Sequence, residues 1–331
     1  MLNIKPLFLM FFIMTLSKSY AQVPLNIESI KNAMQPLDLS IQTTYSNNIE
    51  EYFEYYDIAY KEQEHSFGWF VSGKYKISSH VIMPENPKGT IIIIHGYFDH
   101  TGQIKPIIDL CLKLNYGVAT IDLPGHGLSS GEQGAINDFN EYASVIDTFI
   151  ENYQETIPKP IHLMGHSTGG SAIYEYLNHT TENTVKNVIL LAPLVRSNHW
   201  FASKIAFFAL KPFCTKIPRR FTKSSSNNDF LQFLKNDPLE GRYISTRWFN
   251  ALYNWNEKIQ YYKQISNPVL IAQGDLDSTV DWQYNLEFFK SKMANNTTHI
   301  IKDGRHHLPN EGVEVQSKTF KYIESFLSSE L

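Results

Sequence analysis

The 331-residue sequence predicts an α/β fold: a mostly parallel twisted sheet with helices on both faces and an inserted helical cap over its C-terminal edge. Three observations carry this reading. Short apolar runs alternate with amphipathic stretches from about residue 90 onward, and parallel strands need such crossovers. The run Thr90–Ile94 is almost wholly β-branched and apolar, the pattern of a strand buried on both faces. The rhythm breaks once, at 195–265, and then resumes.

The elements follow in order. Segments 67–74 and 77–83 read as two strands of a hairpin-like entry, preceded by an irregular extension at 22–66 with some helix. Thr90–Ile94 ends in His95-Gly96, a helix covers 104–114, and a strand at 117–122 stops before Pro124-Gly125. In the helix at 138–154, Tyr142, Val145, Ile146 and Phe149 fall at i, i+3, i+4 and i+7, one face of a 3.6-residue repeat. Strands at 160–164 and 188–191 flank a helix at 169–177; strands at 269–272 and 299–301 and helices at 282–290 and 315–327 complete the core, 67–194 and 266–331.

Hydrophobic residues make up 43% and charged residues 19%, enough apolar material for a substantial core. The net charge of −4 gives no global field for a polyanion, so a nucleic-acid partner is excluded. Two cysteines, Cys111 and Cys214, are too few for a disulfide scaffold and read as small buried hydrophobes. Lys5, an apolar run at 7–16 and Ser17-Lys18-Ser19-Tyr20-Ala21 form the three parts of a signal peptide, which assigns 1–21 to a cleaved leader and the mature chain to a secreted or periplasmic location. The run is too short to span a bilayer, although an uncleaved anchor is the alternative.

Gly165-His166-Ser167-Thr168-Gly169 matches G-x-S-x-G, a pattern that roughly one chain in ten of this length shows by chance. Its setting makes it specific, because it follows a buried strand and opens a helix, where a nucleophile elbow needs small neighbours around a strained serine. A serine hydroxyl needs a base, and in this arrangement acid and histidine follow the serine in chain order. Asp275, Asp277 and Asp281 compete for the acid. Asp277 is preferred because it sits in the loop just past a strand end; Asp275 suits the turn and Asp281 a helix N-cap. His306 and His307 both lie in the loop after the last strand, and adjacent loop residues point apart, so one of them faces Ser167. No metal-ligand cluster such as H-E-x-x-H occurs, and the chemistry needs no cofactor. Two backbone N–H groups must meet the oxyanion: Thr168, at a helix start, and Tyr97, after His95-Gly96.

Taken together, His95 to His100, Asp122-Leu123-Pro124-Gly125-His126-Gly127-Leu128-Ser129, Gly165 to Gly170, Gly274 to Val280 and Arg305-His306 with Glu311 resemble the monoacylglycerol lipase and lysophospholipase group of α/β-hydrolases, also described as serine aminopeptidase S33-like. The resemblance covers about 66–330. It implies an α/β-hydrolase fold, Asp277 as the acid three residues after a glycine, and His306 as the base five residues before a glutamate; His307 departs from the family's usual glutamate. His126 and His166 belong to the motifs as structural residues.

The aromatic insertion points to an acyl chain, since eight buried methylenes contribute about 6 kcal/mol against about 1–3 for a polar head group. These aromatics also suit a small core of the cap's own. Arg219 and Arg220 read as an exposed basic pair that a phosphate could meet. The expected partner is a small-molecule acyl ester, with transient contact with a membrane or micelle surface. Two other readings stand beside the esterase: an S33-type aminopeptidase, which needs a cap carboxylate such as Asp229, Asp237 or Glu240 for the substrate amine, and a non-catalytic binding protein on the same fold.

Overall fold

A computed structural model of the protein describes residues 25–41, 43–180 and 184–328; the expected leader lies outside them. Helices α1 (Ile27–Ala33) and α2 (Asn47–Tyr55) precede strands β1 (Glu64–Ser72), β2 (Tyr75–Met83) and β3 (Thr90–Ile94). Then come α3 (Lys105–Lys113), β4 (Gly117–Ile121), α4 (Asn140–Tyr153), β5 (Ile161–His166), α5 (Thr168–His179) and β6 (Val185–Leu191). An insertion follows, with α6 (Trp200–Leu210), β7 (Lys216–Pro218), α7 (Asn228–Asn236), β8 (Tyr243–Ser245) and α8 (Thr246–Lys258). The chain closes with β9 (Ile265–Gly274), α9 (Trp282–Lys292), β10 (Met293–Ile301) and α10 (Val313–Ser328).

Eight strands form one sheet in the order β1-β2-β4-β3-β5-β6-β9-β10. It is parallel from β4 to β10, while β2 runs antiparallel to both its neighbours. Strand side chains alternate between faces. Ile92 and Ile94 therefore enter the core under α4 and α5, and Ile91 and Ile93 the core under α3 and α10. The order reverses beside β3 and β5, so the loops after these strands open onto one crevice, where open α/β sheets place their ligands.

Strands β6 and β9 begin three and four residues earlier than the sequence reading places them, and three further differences change the architecture. Strand β10 runs nine residues, not three, because it is an edge strand whose polar stretch 295–298 faces water. The insertion contains a small antiparallel ribbon, β7 with β8, among its helices. The described part of the N-terminal extension is docked: Ile30, Ile49, Tyr52, Phe53 and Tyr56 form a separate core with Phe67 of β1 and Leu239 of the insertion. Hydrogen bonds between residues 35–37 and Trp69 add this segment to the outer edge of β1. Cys111 is buried as expected, whereas Cys214 is half-exposed. Among the described residues no helix is long and apolar enough to cross a membrane.

Candidate active site

Strand β5 ends at His166 and α5 begins at Thr168, so Ser167 alone makes the bend, with φ 50° and ψ −113°. Holding a non-glycine residue there costs about 1–3 kcal/mol, which the surroundings must supply. They do so through the backbone: Ser167 N–H donates to Leu191 O at 2.9 Å, and Ser167 O accepts from Gly170 N at 3.0 Å and Leu194 N at 3.1 Å. The bend also needs close backbone approach. A Cβ on Gly165 would lie 2.6 Å from the Gly169–Gly170 peptide, and one on Gly169 would strike the Ile94 carbonyl.

His306 lies in the loop after β10 and Asp277 in the loop after β9. His306 Nε2 is 3.0 Å from Ser167 Oγ, and His306 Nδ1 is 2.8 Å from Asp277 Oδ2. Asp277 also accepts from Gln273 Nε2 at 3.0 Å, Thr279 N at 2.8 Å and Val280 N at 3.2 Å. Gln273 Nε2 and the two backbone N–H groups can only donate, which favours the ionised carboxyl. Burial pushes its pKa up, but the His306 ring and the hydrogen bonds from Gln273 and Thr279 outweigh that and hold it below the usual value. With a carboxylate at Nδ1, His306 carries its proton there and turns the Nε2 lone pair to the serine. Asp275 instead accepts from Asp303 N at 2.7 Å in the turn, and Asp281 caps α9 through Tyr284 N.

The proposed oxyanion donors flank this group. Thr168 N–H starts α5 with the helix dipole behind it. Tyr97 belongs to the turn after β3, in which Phe98 takes a left-handed φ of 78°. Neither N–H has a backbone acceptor among the described residues. The insertion grips this turn. Tyr97 stacks on Trp248 at 4.0 Å and accepts from Ser245 N at 3.2 Å, and Arg219 lies 3.9 Å over the Phe98 ring. Arg219 is thus not half of an exposed basic pair; it is mostly buried and ion-paired with Glu240. Ser167, Asp277 and His306 are only 5%, 7% and 5% exposed, so the site is covered.

Sequence reasoning gave no role to Asp99, His307 or Gln273 and read His166 as structural. His307 points away from Ser167, toward Asp99 Oδ1 at 3.6 Å, and burial brings its pKa down to about 3. Glu311 ties the base loop to the insertion, accepting from Arg305 N at 2.7 Å and Ser226 N at 2.6 Å. Asp99, with two histidines nearby in the chain motifs, was the available signal. Asp99, His166 and His307 are the one group of metal-ligand type among the described residues, their ligand atoms within 4.8 Å of one another. His166 Nδ1 and Asp99 Oδ2, however, are already hydrogen-bonded to each other at 2.9 Å, which accounts for their approach without an ion.

The family model described as serine aminopeptidase, S33, matches residues 85–312. A phospholipase, YtpA, of Bacillus subtilis is 26% identical over 231 residues, covering 67% of this chain and 89% of the relative. The monoglyceride lipase of Mus musculus is 27% identical over 252 residues, covering 73% and 83%. Among solved structures, a soluble variant of the monoglyceride lipase of Saccharomyces cerevisiae, in complex with a substrate analogue, superposes with a TM-score of 0.69 at 20% identity; the match covers 80% of this chain and 96% of that one, and shows the shared fold. With a match to the family model that takes in β3 through the loop after β10, the chain belongs to the S33 family of α/β-hydrolases.

Proposed function

We propose that this protein is a serine hydrolase that cleaves carboxylic esters of lipid-like substrates, monoacylglycerol or lysophospholipid, through an acyl-enzyme on Ser167. The observation that carries this reading is the continuous relay from Ser167 Oγ through His306 to Asp277, at 3.0 and 2.8 Å. Ser167 attacks the ester carbonyl as His306 Nε2 takes its proton, and Asp277 stabilises the imidazolium. The Thr168 and Tyr97 N–H groups receive the oxyanion. His306 then protonates the leaving alcohol, and water repeats the sequence on the acyl-enzyme. The residues of this chain suffice for each step.

The names of the relatives support an ester substrate, and so does the fate of two of the three carboxylates proposed for an aminopeptidase; the third, Asp229, lies exposed in the first turn of α7. Asp237 is fully buried and accepts from Tyr56, His100 and Gln103; Glu240 is spent on Gln103 and Arg219. Neither is left for a substrate amine. We read 195–265 as a cap over the site. Its large apolar side chains divide: Trp248 and Trp255 pack on Tyr97 and Phe139, whereas Phe201, Ile205 and Phe208 on α6, with Phe213 beyond it, stand in solvent. Phe201 is 73% and Phe213 85% exposed, with Lys204 and Lys211 beside them. Exposed aromatics next to lysines suit a lipid surface, from which a long-chain substrate would enter. The leader read at 1–21 supports export, which the N-terminal mass of the protein recovered outside the cytoplasm checks.

Labelling with a fluorophosphonate probe, then assay of p-nitrophenyl esters of rising chain length against aminoacyl anilides, tests the reaction. Turnover of the anilides alone would sink the lipid-ester reading. For the surface, Phe201→Ser with Phe208→Ser is expected to weaken flotation with phosphatidylcholine vesicles about tenfold or more, since each ring removes about 1.5–3 kcal/mol of apolar burial. Hydrolysis of short soluble esters should be unchanged.

A further inference from the structure

His166 differs from its neighbours in what its two ring nitrogens face. His95 has an acceptor, Gly96 O, at Nδ1 and a donor, Leu123 N–H, at Nε2; His100 has the Asp237 carboxylate at Nε2 and the Gly102 N–H at Nδ1. One proton satisfies each of those rings. His166 has acceptors on both sides: Asp99 Oδ2 at 2.9 Å from Nδ1 and the His306 carbonyl at 3.0 Å from Nε2. A neutral ring would set a lone pair against one of them, in a place where His166 is buried at 4% exposure and Asp99 at 2%. An unmade buried hydrogen bond there costs about 1–3 kcal/mol, more beside a carboxylate. Only an imidazolium satisfies both.

The pair also joins the three loops of the site. Asp99 Oδ2 accepts from Gly96 N at 3.1 Å in the turn carrying Tyr97, His166 precedes Ser167, and the His306 carbonyl belongs to the base. We propose that His166 is a charged positioning residue: its imidazolium, neutralised by Asp99, holds the His306 main chain so that the catalytic ring stays in line between Asp277 and Ser167, and fixes the oxyanion turn to the same point. Because the pair is neutral overall, it orients His306 without adding net charge beside the imidazolium that forms on it during turnover. The inference rests on the proposed esterase mechanism for its kinetic part alone.

The charged and titratable groups facing His166 are Asp99 after β3, Asp277 after β9, and His306 and His307 after β10, while His95 and Arg219 act on its partner Asp99. Burial pulls the His166 pKa down, but the hydrogen bond and charge of Asp99, then the His306 carbonyl and Asp277, more than reverse this and raise it. A raised pKa means the clamp is intact below the ordinary imidazole range and is lost as pH rises through the higher folded value.

The test combines kcat against pH, from about pH 6 to 10, with ring N–H signals in 15N-labelled protein. The wild type should show two His166 ring N–H signals near neutral pH and an alkaline fall in kcat. Asp99→Asn should move that fall at least one pH unit lower. His166→Gln should reduce kcat about 10–100-fold with KM nearly unchanged and remove the fall altogether. The inference is overturned by a single His166 N–H signal, by an alkaline limb that does not move in Asp99→Asn, or by His166→Gln lowering activity equally at every pH. Zinc retained through chelation, with no Nδ1–H signal, would equally overturn it, since Nδ1 would then be a ligand. Should His166→Gln not fold, the wild-type spectrum and Asp99→Asn decide. The spectrum needs no turnover, so it stands or falls separately from the esterase reading.

Discussion

At the scale of single residues, the site depends on protons placed by hydrogen-bond partners. Asp277 offers only acceptors, so the Nδ1–H of His306 is the tautomer that leaves Nε2 free for Ser167. Asp277→Asn can present an amide donor instead and favour the wrong tautomer; kcat should fall about 10⁴-fold with the fold intact, which circular dichroism alongside kinetics checks. Ser167→Ala should abolish fluorophosphonate labelling and lower kcat about a millionfold. The positions proposed for nucleophile, acid and base could be picked out in the chain, His306 with the help of the resemblance, because a strand end followed by small residues or by an acidic turn is a local pattern. The direction of His307 was not, since the sequence says that adjacent rings diverge but not toward what. Asp99 receives one ring of the loop, and Ser224 O holds the other side through His307 N at 2.9 Å.

At the scale of elements, the elbow exists because β5 and α5 press against β3. Gly169→Ala sets a methyl against the carbonyls of Ile94 and His95, both backbone atoms that cannot swing away. The variant should lose about 1–3 kcal/mol by urea unfolding, together with most of its activity. The β1–β2 hairpin carries a different sensitivity. His65 Nε2 and His80 Nδ1 meet at 3.0 Å beneath α2, with Tyr52 Oη 3.3 Å from His80 Nε2. Burial lowers the His65 pKa to about 4, so the unfolded chain binds more protons than the folded one between about pH 6.5 and 4. Stability is therefore full above pH 6.5 and falls as pH drops through this window. Because His65 is half-buried, the loss is no more than about 2 kcal/mol; thermal melting at pH 7 and pH 4 measures it, and His65→Gln should flatten the slope. Periodicity found the buried strands and amphipathic helices well, yet missed most of β10, where water on one side removes the apolar signal.

At the scale of the molecule, the N-terminal extension, the sheet and the insertion are joined through one buried carboxylate. Asp237 accepts from Tyr56 at 2.7 Å, His100 at 2.9 Å and Gln103 at 2.8 Å, one from the extension and two from the loop after β3. Tyr56→Phe removes one donor without creating a cavity and should cost about 1–3 kcal/mol, seen as a lower melting temperature. If the extension were merely draped over the body, the melting temperature would not move.

The sequence by itself determined what contiguous residues encode: buried strands, the glycines of the bend at Ser167, and the point where the alternation of strands and helices breaks. Each follows from steric or solvation rules acting over a few neighbouring positions. Tertiary structure alone decided which groups face one another across long separations. It set His166 under the His306 carbonyl, 140 residues away, and Tyr56 against Asp237, 181 residues away. It also turned Arg219 from solvent to Glu240 and Phe98. The partners of a buried polar atom are fixed by how loops from separate strands converge, and no local pattern records that convergence.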